Sequence, residues 1–297
     1  MTKKHVGTIN VNTMKKIVKN KFGYSNIDGL IPGIRGQRAF PTPLYKDSDP
    51  FLMLDHIGPQ VVGKNFFLDG TGHDHPHRGF ETLTFVFEGR MDHKDSLGNR
   101  VSICSGGVQR MNAGSGIIHG GDMASDTNTA RFHEMQLWVN NPRSEKMSDP
   151  EIQNVSEVEF PLSNKGEIQL KLVTGTLNGL EGPLQTKATT QIAQVIASGE
   201  GKMTIGPFPE GNKVMVYAME GVATIGGTSV DAFELAVLSS EGDSVEIATS
   251  EASQLLVLSG KPLQEPIAFG GPFVMNTQEE IIQAQIDFQS GAFGKID

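Results

Sequence analysis

The chain has 297 residues, a formal net charge of −9 and one cysteine, Cys104. An acidic chain with a pI near 5.4 lacks the basic face that replaces counterions on phosphate, which excludes direct nucleic-acid binding as the expected function. No stretch has the apolar length of a bilayer span, the basic start Met1–Val6 is not followed by the apolar run of a secretory signal, and a lone cysteine forms no internal disulfide. The expectation is a cytoplasmic protein without membrane association.

Thirty-five glycines and 15 prolines favour short strands and tight turns over long helices. From about residue 40, alternating runs such as Phe51-Leu52-Met53-Leu54, Thr82 to Phe87 and Met135 to Val139 read as strands. They are cut by turns at Asp69-Gly70, Leu97-Gly98-Asn99 and Ser105-Gly106-Gly107. Many short strands at this spacing predict an all-β sandwich or barrel. Cys104 closes the alternating run Val101-Ser102-Ile103-Cys104 and is expected to be a buried small residue, not a reactive thiol.

Composition shifts over 141–166, where Asn141-Pro142, Asp149-Pro150 and Ser163-Asn164-Lys165-Gly166 mark a connecting segment, and strands resume at Ile168 and run to about Val257. The expected organisation is a first domain over 1–140, the connection, and a second domain over 167–297. Thr277-Gln278-Glu279-Glu280 has the capping-box form, followed by Ile281, Ile282, Ala284, Ile286 and Phe288 and a stop at Gly291, which predicts a helix over about 277–290 packed across the domains.

All eight histidines lie at or before position 133. His75 and His77 flank Pro76, and in a strand residues two apart share a face. His119 follows the glycine-rich Gly114-Ser115-Gly116 turn, which could return it to the same place. Imidazole is a good ligand for iron, zinc, copper, nickel and manganese, and three of them form a half-open site with room for substrate or water. His5, His56, His73, His93 and His133 show no partner spacing and are read as structural.

A weak repeat supports confining metal chemistry to the first half. Glu88-Gly89 and Glu220-Gly221 each end an apolar strand, and ten residues before these glycines stand Gly79 and Gly211. In that register the positions of His75 and His77 are taken by Pro207 and Pro209, which have no side-chain donor.

His75-Pro76-His77-Arg78-Gly79-Phe80-Glu81-Thr82, Asp95 to Asn99, Gln109 to His119, Gln136 to Asn140 and Gly271 to Thr277 together resemble the pirins, over about Phe51 to Phe288. The resemblance implies a bicupin: two antiparallel jelly-roll-like β-barrels face to face, with one divalent metal ion in the N-terminal barrel only, usually Fe(II), other transition metals being compatible. It implies His75, His77 and His119 as ligands. Family members usually add a glutamate two residues after the last histidine, where this chain has Gly121; Gly107, Arg110 and Ser115 also depart from the usual acid, tryptophan and arginine.

Three completions of the ligand set follow: water, Glu81 on the face of His77 if the strand stays regular, or Asp122 through a bulge. Glu81 is alternatively a hydrogen-bonding partner that orients a ligand histidine, and Glu134 is a more distant candidate. Some pirins are quercetin 2,3-dioxygenases, which open a flavonol ring with dioxygen and release carbon monoxide; a carboxylate near the metal takes the hydroxyl proton, a catalytic role open to Glu81 here. Others bind protein partners as non-catalytic, redox-responsive iron regulators. The expectations are therefore an enzyme acting on a flavonol or similar small enol, or a regulator with a protein partner. Met53, Phe80 and Met111 are expected near the pocket mouth.

Overall fold

Alternation of apolar residues, interrupted by glycines that accept left-handed backbone, turns almost the whole chain into antiparallel strands. The computed structural model describes residues 14–27, 33–69 and 73–297; His5 and Gly70 of the Asp69-Gly70 turn lie outside them. In the first half, Phe80–Glu88 sits between Val108–Asn112 and Arg131–Asn140. That sheet continues through Phe51–Val61 and Gly36–Phe40 to Ser25–Asn26. The smaller facing sheet carries Phe67–Leu68, Met123–Ala124, Arg90–Asp95, Ile117–Gly120 and His75–His77, with Arg100–Cys104 paired to Arg90–Asp95.

The second half repeats this order. Lys213–Glu220 lies between Leu235–Leu238 and Ser253–Gly260, and the sheet runs on through Thr190–Ala197 and Ile168–Thr174 to Leu162–Lys165. The repeat read from two glycine pairs is thus a repeat of architecture: Gly79, Gly89, Gly211 and Gly221 all have positive φ. Two strands cross between the halves. Val18–Phe22 pairs with Leu235–Leu238 of the second large sheet, while Glu151–Val155, within the connecting segment, takes the matching place beside Val108–Asn112 in the first.

The two large sheets meet face to face. Leu54, Leu83, Phe85, Met135 and Leu137 from the first pack against Met215, Tyr217, Leu256 and Leu258 from the second in one buried core. Each such side chain contributes about 1.5–3 kcal/mol on burial, which makes this contact a major source of stability. The second barrel's interior is filled by aliphatic side chains, among them Leu170, Leu172, Val195, Val216, Leu255 and Val257. The same strand positions in the first barrel carry polar groups, and there a cavity forms.

The C-terminal segment leaves the second barrel and closes over the first. Ala268–Gly270 pairs with Phe273–Met275, and Arg78 forms a parallel bridge to Phe273. The helix Gln278–Gln289 starts at the expected capping box: Thr277 Oγ1 accepts from Glu280 N (3.2 Å) and Glu280 Oε2 accepts from Thr277 N (3.0 Å). It buries Ile281 and Ala284 with Phe273 and Met275, and Asp287 binds Arg78 at 2.7 Å. Lys146, nearly fully buried, donates to Gly79 O (2.9 Å), Asn140 Oδ1 (2.8 Å) and Val274 O (3.0 Å), tying this hairpin to the histidine strand. Cys104 contradicts its expectation: Ile103 is the buried member of that strand, so parity turns the thiol outward and leaves it exposed. No helix among the described residues is long and apolar enough to cross a membrane.

Candidate metal centre

His75–His77 is an edge strand, where Pro76 can lack an N–H at little cost. It pairs with Ile117–Gly120 in a register that sets His119 opposite His75. Ring centroids are 4.7 Å apart for His75 and His77, 4.4 Å for His75 and His119, and 5.0 Å for His77 and His119. One ring nitrogen from each lies within 4.8 Å of the other two, a convergence that could hold a metal ion.

Hydrogen bonds decide which nitrogens are available. A carbonyl only accepts, so His75 Nδ1–H donates to His73 O (3.0 Å) and His77 Nδ1–H donates to Pro272 O (3.2 Å). Each ring is left with an Nε2 lone pair, the arrangement that orients a ligand histidine. His119 Nε2 is buried without any partner. Burial, reinforced by the neighbouring imidazole of His75, pushes His77 down to about 3, and burial with His77, His75 and His93 nearby pushes His119 well below its ordinary value. His77 and His119 are therefore neutral near pH 7. A buried polar atom without a partner costs about 1–3 kcal/mol, and a divalent transition-metal ion would satisfy it; the donor set fits such an ion.

The protein residues considered for a fourth ligand are placed elsewhere. Glu81 was expected on the face of His77, but Gly79, at φ +87, breaks the strand between them. A Cβ there would meet Val274 O at 2.1 Å, so the close backbone approach requires glycine. Glu81 consequently points to the inter-barrel side, where its carboxylate is ion-paired with buried Arg110 and accepts from Lys187 N (2.9 Å). It neither joins the three histidines nor lines the cavity beside them, which is at odds with its expected roles as ligand and as catalytic base. Asp122 lies with Lys94, Arg100 and Ser102 in a different recess and is also outside the histidine cluster. Position 121 itself is closed: a Cβ on Gly121 would meet Asp92 O at 1.6 Å and His93 Cα at 3.2 Å.

His75 and His119 open onto a cavity of about 330 Å³, within the range of small-molecule sites, about 300–1,000 Å³. Its apolar wall is Ile57, Leu68, Met91, Ile103 and Met123, and Thr84, Gln109, Glu134 and Gln136 project from the large sheet. Of the residues expected at the mouth, none lines it: Phe80 and Met111 are fully buried, Phe80 packing in a tilted ring contact on Trp138 beside His77, and Met53 is outside the wall. Glu134, left unplaced by sequence, is fully buried in this cavity; burial pushes its carboxyl up to about 8, and its Oε2 has no partner. His93 also lines the cavity and donates from Nε2 to Asp95 Oδ2 (2.9 Å). His56 and His133, read as lacking partners, bond each other between Nε2 atoms at 2.7 Å in the inter-barrel core. No spacing rule could pair them, because they come from different strands.

Known proteins are similar to this chain in architecture and sequence. The Pirin family domain matches residues 33–139 and the Pirin C-terminal cupin domain matches residues 192–294. A pirin-like protein from Caulobacter vibrioides is 37% identical over 285 residues, covering 95% of this chain and 99% of that protein. Human pirin is 33% identical over 291 residues, with 96% of each chain covered. The crystal structure of a quercetin 2,3-dioxygenase from Acinetobacter baumannii superposes with a TM-score of 0.85 at 32% identity, covering 96% of this chain and 100% of that one. Two cupin barrels, a converging histidine triad in the first and matches across both halves make this chain a member of the pirin family.

Proposed function

We propose that the chain is a metal-dependent flavonol oxygenase of the quercetin 2,3-dioxygenase type, with Fe(II) held by His75, His77 and His119. The observation that carries this reading is the cavity lined by His75 and His119 of the converging triad, with His119 Nε2 buried and without a partner. A bound ion would supply Lewis acidity and a redox partner for dioxygen chemistry. The protein's own contribution is positional. The apolar wall from Ile57 to Met123 suits the flat aromatic body of a flavonol and excludes water, while Thr84, Gln109 and Gln136 offer hydrogen bonds that set its orientation. His73 O and Pro272 O hold two imidazoles in the ligating tautomer. Kinship to a quercetin 2,3-dioxygenase supports the substrate class. With no family glutamate at Gly121 and Glu81 spent on Arg110, water is the expected completion of the ligand set.

The test is reconstitution with Fe(II), addition of quercetin in air, and measurement of the loss of its visible band together with carbon monoxide release. Turnover that disappears in His77→Ala supports the proposal. A fully metallated protein that leaves quercetin intact would refute it and favour a non-catalytic regulator.

A further inference from the structure

Among the residues that line the cavity, two carry a buried polar atom without a partner: His119 Nε2 and Glu134 Oε2. The first is accounted for by a metal ion. The second is not. Several other polar atoms around it are engaged within the protein: Asp55 accepts from Arg38 at 2.6 and 2.7 Å, His93 is bonded to Asp95, Gln136 Oε1 accepts from Trp138 Nε1 (3.0 Å), and Gln109 Nε2 donates to Asn154 (2.8 Å). Strand parity aims Glu134 inward. Met135 and Leu137 of the same strand pack in the inter-barrel core, so Glu134, Gln136 and Trp138 face the histidines' side. The usual acid position is closed at Gly121 by the backbone of Asp92, and Glu81 is turned away by the break at Gly79.

We infer that Glu134 is the proton acceptor for a ligand hydroxyl bound in this cavity, taking the task that position 121 cannot perform in this chain. The inference rests on the flavonol reading above. The ligand's O–H bond breaks, its electron pair stays on the oxygen as an oxyanion, and the proton ends on Glu134 Oε2. Burial pushes this carboxyl up to about 8, and a divalent ion held by the three histidines would favour its ionised form, which would bring the group between its two forms near neutral pH.

The test uses zinc-loaded protein, which binds without turnover, and quercetin as probe at pH 7. The expected result is a red-shifted absorption band of the quercetin oxyanion on wild-type protein. Glu134→Gln, which mimics the protonated acid in shape, is expected to keep its zinc and its unfolding midpoint, to show the band of neutral quercetin, and to bind it roughly tenfold or more weakly. Glu134→Asp should restore part of the red shift. An unchanged red shift and affinity in Glu134→Gln overturn the assignment of Glu134 and leave the flavonol reading standing. Loss of zinc in Glu134→Gln also overturns it, by making the residue a ligand. Wild-type protein that binds zinc but not quercetin overturns the flavonol reading and this inference with it.

Discussion

Writing the family's usual glutamate back at position 121 should damage this protein instead of restoring a ligand. The nearest atom to a Cβ there is a backbone oxygen, Asp92 O at 1.6 Å, and real Cβ contacts stay beyond 3.0 Å, so the strand Arg90–Asp95 must retreat by about 1.4 Å. That strand is held to its neighbour by the Asp92 N–H bond to Asp122 O (2.8 Å) and by the pairings of Lys94 with Gly120 and Asp95 with His119. Overpacking costs about 1–3 kcal/mol and each weakened hydrogen bond about 0.5–1.5 kcal/mol, so the loss comes to about 3 kcal/mol. At 2–4 °C per kcal/mol for a domain of this order, Tm should fall by about 6–12 °C. Because the collision occurs at the first side-chain carbon, Gly121→Ala and Gly121→Glu should be destabilised to a similar extent. The assays are thermal unfolding and total metal of both variants after purification with Fe(II). A Gly121→Glu protein as stable as wild type, with tighter metal binding, would refute the reasoning.

Further outcomes follow from the other placements. Glu81→Ala should retain wild-type metal content yet lose about 3 kcal/mol in urea unfolding, because Arg110 stays buried with only Glu151 and Gln153 beside it; a drop in metal would return Glu81 to the ligand set. His119→Ala should weaken metal binding by more than the roughly 10- to 100-fold that loss of an orienting partner costs, while His93→Ala, whose ring bonds Asp95 and no ligand histidine, should change it far less; equal losses in competition with a metal chelator would argue against a three-histidine centre. Stability should fall below pH 6.5 through His56 and His133. Burial lowers His56 to about 3; burial with His56 and Arg131 lowers His133 to about 2. The unfolded chain therefore takes up protons first: this contribution is complete above about 6.5 and is lost as pH falls toward the folded values, with a limiting slope of about 1.4 kcal/mol per unit per histidine. Tyr217 O–H faces His56 Nδ1 (3.1 Å) and Glu220 faces His133 Nδ1 (3.5 Å), an order of donors and acceptors that suits two neutral rings. Urea midpoints from pH 7.5 to 4.5 should change less steeply in His133→Gln; identical slopes would count against the pair.

The sequence alone determined the strand-rich class, the doubled architecture, the helix cap at Thr277 and the restriction of imidazole chemistry to the first half. These are local properties: alternation has a period of two, a capping box spans four residues, and the second half simply has no histidine to offer. Only the tertiary structure decided the rest, because it depends on faces and close approaches between distant segments. One positive φ at Gly79 reverses where Glu81 points, although both lie on one short stretch with His77. Strand pairing brings Asp92 against Gly121 and closes that position to any side chain, and burial places Glu134 in the cavity with an oxygen left over. The exchanged edge strands and the C-terminal hairpin that supplies Pro272 O to His77 are likewise long-range arrangements, for which no spacing along the chain carries a signal.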